Sequence, residues 1–344
     1  MLKAAVLGAT GNVGQIFIQL LEEHPWFEVR TVAASKRSKG RTYAEASRWR
    51  QSTPIPEAVS QMEIVDITPR TVEDVDVVFS ALPSAVAGTV EEDFASAGYV
   101  VVSNASAHRM DPDVPMLNPE INSDHVSLIE EQRKKRKWDG AIVTNPNCST
   151  TVLTLPIKPI FDEFGIDSLI VSTMQAISGA GYPGIASLDI VDNVIPFISG
   201  EEVKMETETQ KILGTASKPA TFKVSASCHR VATIDGHLEA VFVKTKKKAE
   251  PNAVAEAMEN FVGEPQKLNL PSAPEKPVVV TWETDRPQTR LDRMEGNGMS
   301  TVVGRIRKDP IMSLKYLCLG HNTIRGAAGG GILSAELMVA KGLA

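Results

Sequence analysis

Apolar runs and amphipathic stretches alternate along the first 145 residues. Residues 2–7 form a short apolar run closed by Gly8. Beyond it, Ile16, Ile18, Leu20 and Leu21 recur with helical spacing and predict a helix over residues 13–23. Residues 29–34, 76–82, 99–103 and 141–144 predict four more strands. Short buried strands separated by helix-length segments point to βαβ units and a parallel sheet.

The second half has a different rhythm. Residues 168–175, 222–227, 230–234, 238–244, 278–282 and 299–306 read as strands, with turn residues such as Asp235-Gly236 between them. This predicts an α+β domain with a largely antiparallel sheet. Residues 324–343 read as a glycine-rich turn followed by a helix over 332–341. The chain of 344 residues suits two domains. The expected division is a nucleotide domain over 1–145 and a catalytic domain over 146–321, with residues 322–344 returning to the first.

Composition narrows the function classes. Hydrophobic residues are 42% and charged residues 23%, enough for full cores and unlike a disordered or fibrous chain. The net charge of −6 provides no global basic field for nucleic acid. Basic runs at 133–137 and 244–248 read as the solvated end of a helix and a strand exit. No segment approaches the roughly 18 apolar residues of a membrane span. The first residues run straight into the glycine turn as a core strand, so the cytoplasm is the expected compartment. Only Cys148, Cys228 and Cys318 are present, without CxxC spacing. Neither a disulfide framework nor a metal site is expected.

Strand 2–7 leads into Gly8-Ala9-Thr10-Gly11-Asn12-Val13-Gly14 and then a helix. Glycines there allow a sharp turn and let a pyrophosphate approach the amides at a helix N-terminus. The placement after a first strand favours a dinucleotide site over a ligand-free turn. At the end of the second strand an NAD site usually has a carboxylate. Here Ser35-Lys36-Arg37-Ser38-Lys39 offers hydroxyls and cations instead, which suits a 2′-phosphate and predicts NADP.

Asn145-Pro146-Asn147-Cys148-Ser149-Thr150-Thr151 follows a buried strand and opens a helix from Ser149. Pro156 and Pro159 are expected to kink or shorten that helix. A cysteine at a helix N-terminus is expected to have a lowered pKa, and free amides there can hold an oxyanion. Cys228 and Cys318 lie in apolar, strand-like surroundings and read as packing. Among the six histidines, His237 stands out. A two-residue hairpin turn at Asp235-Gly236 would pair Ile234 with His237 and put Arg230 on the same face.

These residues resemble the aspartate-semialdehyde dehydrogenases of the branch found in archaea and fungi, over essentially the whole length. The matching elements are Gly8-Ala9-Thr10-Gly11, Asn145-Pro146-Asn147-Cys148-Ser149-Thr150, Gln175-Ala176-Ile177-Ser178-Gly179-Ala180-Gly181, Arg230 with His237, and Asn322-Thr323-Ile324-Arg325-Gly326-Ala327-Ala328. The resemblance implies an α/β fold: a Rossmann-type dinucleotide-binding domain and a catalytic and dimerisation domain of the glyceraldehyde-phosphate-dehydrogenase-like type. It implies Cys148 as thioester-forming nucleophile, His237 as general acid/base and Gln175 as orienting residue. Arg230 would hold the substrate carboxylate, Glu201 (or its neighbour Glu202) the ammonium, and Arg109 and Lys204 the phosphate. Asn147 and the Cys148 amide would be oxyanion donors.

Cofactor contacts would fall on Gly8, Thr10, Gly11, Asn12, Val13, Ser35, Arg37, Ser38, Ser84, Ser178, Gly179 and Asn322. The implied activity is NADPH-dependent reduction of β-aspartyl phosphate to L-aspartate 4-semialdehyde in lysine, threonine and methionine biosynthesis, by a homodimer or homotetramer. Malonyl-CoA reductase resembles the same branch, but Asn145, Asn147 and Ser149 favour the semialdehyde enzyme. A non-catalytic NADP-binding protein, with Cys148 structural, is the alternative of another class. Residues 185–199, rich in Ile and Val, read as a subunit contact in preference to a core helix.

Overall fold

The computed structural model describes residues 1–344. Its first sheet has five strands: β1 (Leu2–Leu7), β2 (Phe27–Ala33), β3 (Val77–Ser80), β4 (Val100–Ser103) and β5 (Ala141–Thr144). They run in the order β2-β1-β3-β4-β5, and every pairing is parallel. All five lie on the predicted apolar runs; β3, β4 and β5 are buried on both faces and leave no polar alternation, whereas the edge strand β2 begins at Phe27, two residues early, and is only partly buried. The chain crosses to the other side of β1 between β2 and β3. In such sheets ligands bind beyond the strand carboxyl ends at that reversal.

Seven helices have nine residues or more: α1 (Asn12–Leu21), α2 (Ser84–Ser96), α3 (Leu128–Arg136), α4 (Cys148–Phe164), α5 (Glu201–Ile212), α6 (Pro251–Glu259) and α7 (Gly329–Ala340). No helix is long and apolar enough to cross a membrane. Helix α4 runs through Pro156 and Pro159, contrary to expectation. Each proline removes a backbone donor, but Val152, Leu153, Leu155, Ile157 and Ile160 around them are fully buried in the second core and hold the helix together.

The second sheet has six strands in the order β7-β6-β8-β11-β10-β9. They are β6 (Ile166–Gln175), β7 (Lys223–Arg230), β8 (His237–Thr245), β9 (Val278–Thr281), β10 (Thr301–Lys308) and β11 (Leu314–Gly320). The sheet is mixed: β6 with β7 and β9 with β10 are parallel, and the other three pairings are antiparallel. The two strands expected over 222–227 and 230–234 are one strand that ends at Arg230. The expected hairpin at Asp235-Gly236 does not form, since β6 lies between β7 and β8.

The C-terminal segment corrects another expectation. Ile324–Ala328 forms a wide π-helical turn that passes directly into α7, so the glycines begin a helix. Close packing needs them: a Cβ on Gly331 would meet the Phe17 ring and Asn145 Nδ2 at 3.0 Å. Ile332, Leu333, Leu337 and Met338 pack with Val6, Phe17 and Phe79 in the core of the first sheet. Residues 185–199 do not form a core helix. Leu188, Val191, Val194 and Phe197 are exposed around the short helix Ser187–Ile190.

Candidate active site

Cys148 is the first residue of α4. Asn147 caps that helix: its Oδ1 accepts from the amides of Ser149 at 2.9 Å and Thr150 at 3.2 Å. The Asn147 Nδ2 donates to Glu201 Oε1 at 2.7 Å. The Asn147 amide donates to Glu208 Oε2 at 2.6 Å, and Glu208 Oε1 accepts from Arg109 Nη1 at 3.1 Å. Lys204 Nζ reaches Glu201 Oε2 at 3.4 Å. The helix that opens with Cys148 is thus tied at its first turn to a group of paired charges.

His237 opens β8 and is fully buried. Its Nε2 lies 3.2 Å from Cys148 Sγ, and its Nδ1 accepts from the Ala176 amide at 3.1 Å. Arg230 ends β7 and pairs across the sheet with Gln175 of β6. Its Nη1 donates to the Ala176 carbonyl at 2.7 Å. A Cβ on Gly179 would lie 2.8 Å from Arg230 Nη1 and 3.2 Å from His237 Cε1. Arg230 and His237 therefore do converge, through the loop after β6 and not through a hairpin.

A cavity of about 450 Å³ opens over these groups. Arg109, Asn147, Cys148, Glu201, Lys204 and Arg230 line it, together with Val13, Ser84, Ser178, Gly179 and Asn322. Arg109 Nε and Asn104 Nδ2, both on cavity-lining residues, are buried donors without a protein partner. Donors left in that state call for an acceptor from outside the chain. A larger cavity of about 870 Å³ lies near Met1, Leu21 and Glu57 and touches none of these residues.

The electrostatics differ from the sequence expectation. Burial pushes the Cys148 thiol up to about 12, with Glu201 adding to the rise and Arg109 and Arg230 opposing it. The dipole of α4 favours thiolate, but desolvation outweighs it. Burial, Arg230 and His321 push His237 down to about 3. The pair is a neutral thiol against a neutral imidazole.

Residues 3–129 match the family model described as "Semialdehyde dehydrogenase, NAD binding domain", and residues 157–325 match "Semialdehyde dehydrogenase, dimerisation domain". The aspartate-semialdehyde dehydrogenase of Methanothermobacter thermautotrophicus is 55% identical over 98% of this chain and 99% of that protein. The chain belongs to the aspartate-semialdehyde dehydrogenase family. The crystal structure of the Candida albicans aspartate-semialdehyde dehydrogenase with NADP is similar throughout, with a TM-score of 0.93, 41% identity and full coverage of both chains. The malonyl-CoA reductase (NADP) of Metallosphaera sedula is 46% identical over 99% of this chain and 98% of that protein.

In this member of the aspartate-semialdehyde dehydrogenase family the glycine turn lies at the reversal of the first sheet. Gly8 has a φ of 74°, and a Cβ there would strike the Ala81 carbonyl oxygen, just past β3, at 2.7 Å. A Cβ on Gly14 would come within 2.3 Å of the Gly8 oxygen, so this glycine lets α1 pack on the turn. Thr10, Gly11, Asn12 and Val13 lead into α1. Beyond β2, Ser35 and Arg37 are exposed, and Ser38 is buried with its amide on the Ser35 carbonyl at 2.8 Å. Asn322, which lines the cavity, donates to Ser178 Oγ at 2.8 Å and accepts from the Gly236 amide at 2.8 Å.

Three other placements refine the sequence reading. Glu201 faces the cavity, whereas Glu202 turns away and accepts from the Cys228 amide at 3.1 Å. Gln175 is buried at the end of β6, with its side-chain amide 3.3 Å from Thr173 Oγ1, and does not line the cavity. Cys228 and Cys318 are fully buried. Glu208 was missed. Its signal is periodicity: Glu201, Met205, Glu208 and Ile212 form one buried stripe on α5.

Proposed function

We propose that the protein is an NADP-dependent aspartate-semialdehyde dehydrogenase. In the biosynthetic direction it takes β-aspartyl phosphate to L-aspartate 4-semialdehyde and phosphate. The observation that carries this reading is the 3.2 Å contact of Cys148 Sγ with His237 Nε2, at a capped helix N-terminus facing a cavity of paired charges.

The residues fit the cofactor. Gly8, Gly11 and Gly14 let the turn close where side chains would collide with its own backbone, as a pyrophosphate-binding turn requires, and no carboxylate stands at the end of β2 to repel a 2′-phosphate. Gly8, Thr10, Gly11, Asn12 and Val13 hold the pyrophosphate side, Ser35, Arg37 and Ser38 the 2′-phosphate, and Ser84, Ser178, Gly179 and Asn322 the nicotinamide side. When bound, the reduced cofactor supplies a hydride to the acyl carbon.

Cys148 Sγ attacks the β-carbonyl, phosphate departs, and a thioester forms on Cys148. Arg230 holds the α-carboxylate in its planar fork, and Glu201 meets the α-ammonium. Arg109, with its unpartnered Nε, and Lys204 hold the phosphate. The α4 amides and Asn147 stabilise the oxyanion. Gln175 acts from behind, by placing the strand end that carries Ala176 and pairs with Arg230.

Residues 1–145 form the NADP domain and 146–321 the catalytic domain, with 322–344 returning to the former. The assembly is a homo-oligomer, the exposed apolar residues of 185–199 contribute to a contact between copies, and the protein works in the cytoplasm. The test is a paired assay: aspartate semialdehyde with phosphate and NADP⁺, and malonyl-CoA with NADPH. Turnover is expected with the first. Turnover only with the second would replace this reading by that of the lower-identity relative.

A further inference from the structure

We infer that Lys211 is a positioning residue of the phosphate site: its ammonium holds the backbone of residues 109–114, and through it Arg109, where the substrate phosphate binds. This rests on the reading of Arg109 as a phosphate ligand. Lys211 lies in the last turn of α5. Its Nζ donates to three carbonyls of one loop, those of Arg109 at 2.6 Å, Asp111 at 2.9 Å and Val114 at 3.1 Å. An ammonium has three N–H bonds and no lone pair, so these main-chain oxygens take all of them. The loop is folded around the cation.

The carboxylates of the same loop are engaged elsewhere. Asp111 accepts from Arg136 Nη2 at 2.8 Å and lies 2.9 Å from His108 Nδ1. Asp113 accepts from Arg136 Nε at 2.6 Å and Lys135 Nζ at 3.1 Å. Arg136 of α3 therefore fixes the side chains of the loop, and Lys211 of α5 its main chain. Arg109 is held by α5 at both ends. Glu208 pairs with its guanidinium, and Lys211, three residues on and so on the same helix face, takes its carbonyl. Glu201 and Lys204 precede them at the same spacing. One face of α5 thus carries one phosphate-binding cation, Lys204, and sets the place of the other. Arg109 Nη2 also donates to the Asn104 carbonyl at 2.9 Å, so its unpartnered Nε moves only with the loop.

The anchor depends on charge. A neutral amine has two N–H bonds and turns its lone pair on the third carbonyl. Burial pulls Lys211 down to about 8, against the opposite pull of Asp111, Glu208 and Asp113. The other charged or titratable groups around the loop are Arg109, Arg136, Lys135, His108 and His125. Against their burial, Arg136 holds Asp111 and Asp113 low, and burial alone holds His125 low. Burial raises Glu208, with Arg109 opposing. The anchor is therefore complete below about pH 8 and weakens as pH rises through that value. Phosphate binding should weaken with it.

The test is steady-state kinetics of the full-length protein with aspartate semialdehyde, NADP⁺ and varied phosphate, on both sides of about pH 8. In the wild type the Michaelis constant for phosphate dianion should rise above that pH. Lys211→Arg, which stays charged, should keep that constant within about threefold of wild type at neutral pH and lose the alkaline rise. Lys211→Met should raise it about tenfold at neutral pH, with the constant for aspartate semialdehyde changing less than about twofold. Equal changes in both constants would overturn the inference. So would a wild-type phosphate constant that stays flat across the range, which decides the matter even where a variant does not fold. Two measurements separate the inference from the reading beneath it. An unchanged phosphate constant in Arg109→Gln removes Arg109 from the phosphate site. Hydrogen exchange of residues 109–116 then still decides the anchor: faster exchange is expected in Lys211→Met, and exchange equal to wild type overturns it.

Discussion

Glu208 and Arg109 form a buried ion pair, Oε1 to Nη1 at 3.1 Å, while the other Glu208 oxygen accepts the Asn147 amide at 2.6 Å. One carboxylate therefore fixes both the proposed phosphate-binding guanidinium and the residue before the nucleophile. In Glu208→Gln the amide nitrogen opposes a donor, either Asn147 N–H or Arg109. The Michaelis constant for phosphate is expected to rise about tenfold, or about 1.4 kcal/mol. That for aspartate semialdehyde should change less. Equal changes in both constants would show that Glu208 only supports the fold.

Gly179 touches two site residues at once. A methyl there would press on Arg230 Nη1 and His237 Cε1. Gly179→Ala is expected to raise the Michaelis constant for aspartate semialdehyde and lower turnover, with the melting temperature within about 2 °C of wild type because the loop faces the cavity. A large loss of thermal stability with normal kinetics would contradict this.

The first sheet and the glycine turn were legible because strands such as Val77–Ser80, buried on both faces, leave an unbroken apolar run. In the second sheet five of the six strands were legible, but not their order. Strand β11 was legible only as the apolar, strand-like surroundings of Cys318 and was not counted among the strands. Arg230 and His237 were rightly brought together by the wrong route, since nothing in their spacing reveals that β6 lies between their strands. The helix N-terminus at Cys148 was readable, but its desolvation depends on elements far away in sequence. Glu208 was hidden among the polar residues of α5, where only the stripe it shares with Met205 and Ile212 marks it as buried.

Arg325 and Glu120 are both fully buried and joined by Nη1–Oε1 at 2.8 Å, with Asn118 adding a bond to the guanidinium. They bind the π-helical turn to the segment before α3. Gly326 in that turn packs on the nucleophile, where a Cβ would lie 2.6 Å from Cys148 Cβ. Glu120→Gln leaves a buried guanidinium unpaired and should cost about 3 kcal/mol. Chemical denaturation measures it, and a loss below about 1 kcal/mol would mean that the site admits water to Arg325.

His237 also sets an acid limit on stability. Its native pKa is about 3, against the ordinary value of 6.5. Above pH 6.5 the ring is neutral in both the folded and the unfolded chain and contributes no pH dependence. As pH falls below 6.5, the unfolded chain takes up a proton that the folded chain refuses, so stability falls until about pH 3. His321 and His125 are held low by burial as well and steepen the same window. His237→Gln removes one of the three. Its melting temperature should therefore fall less steeply than that of wild type between pH 6.5 and pH 5, whatever the offset at pH 7.5. Parallel curves for the two proteins would place the His237 ring in contact with a proton acceptor, and the neutral assignment would fail.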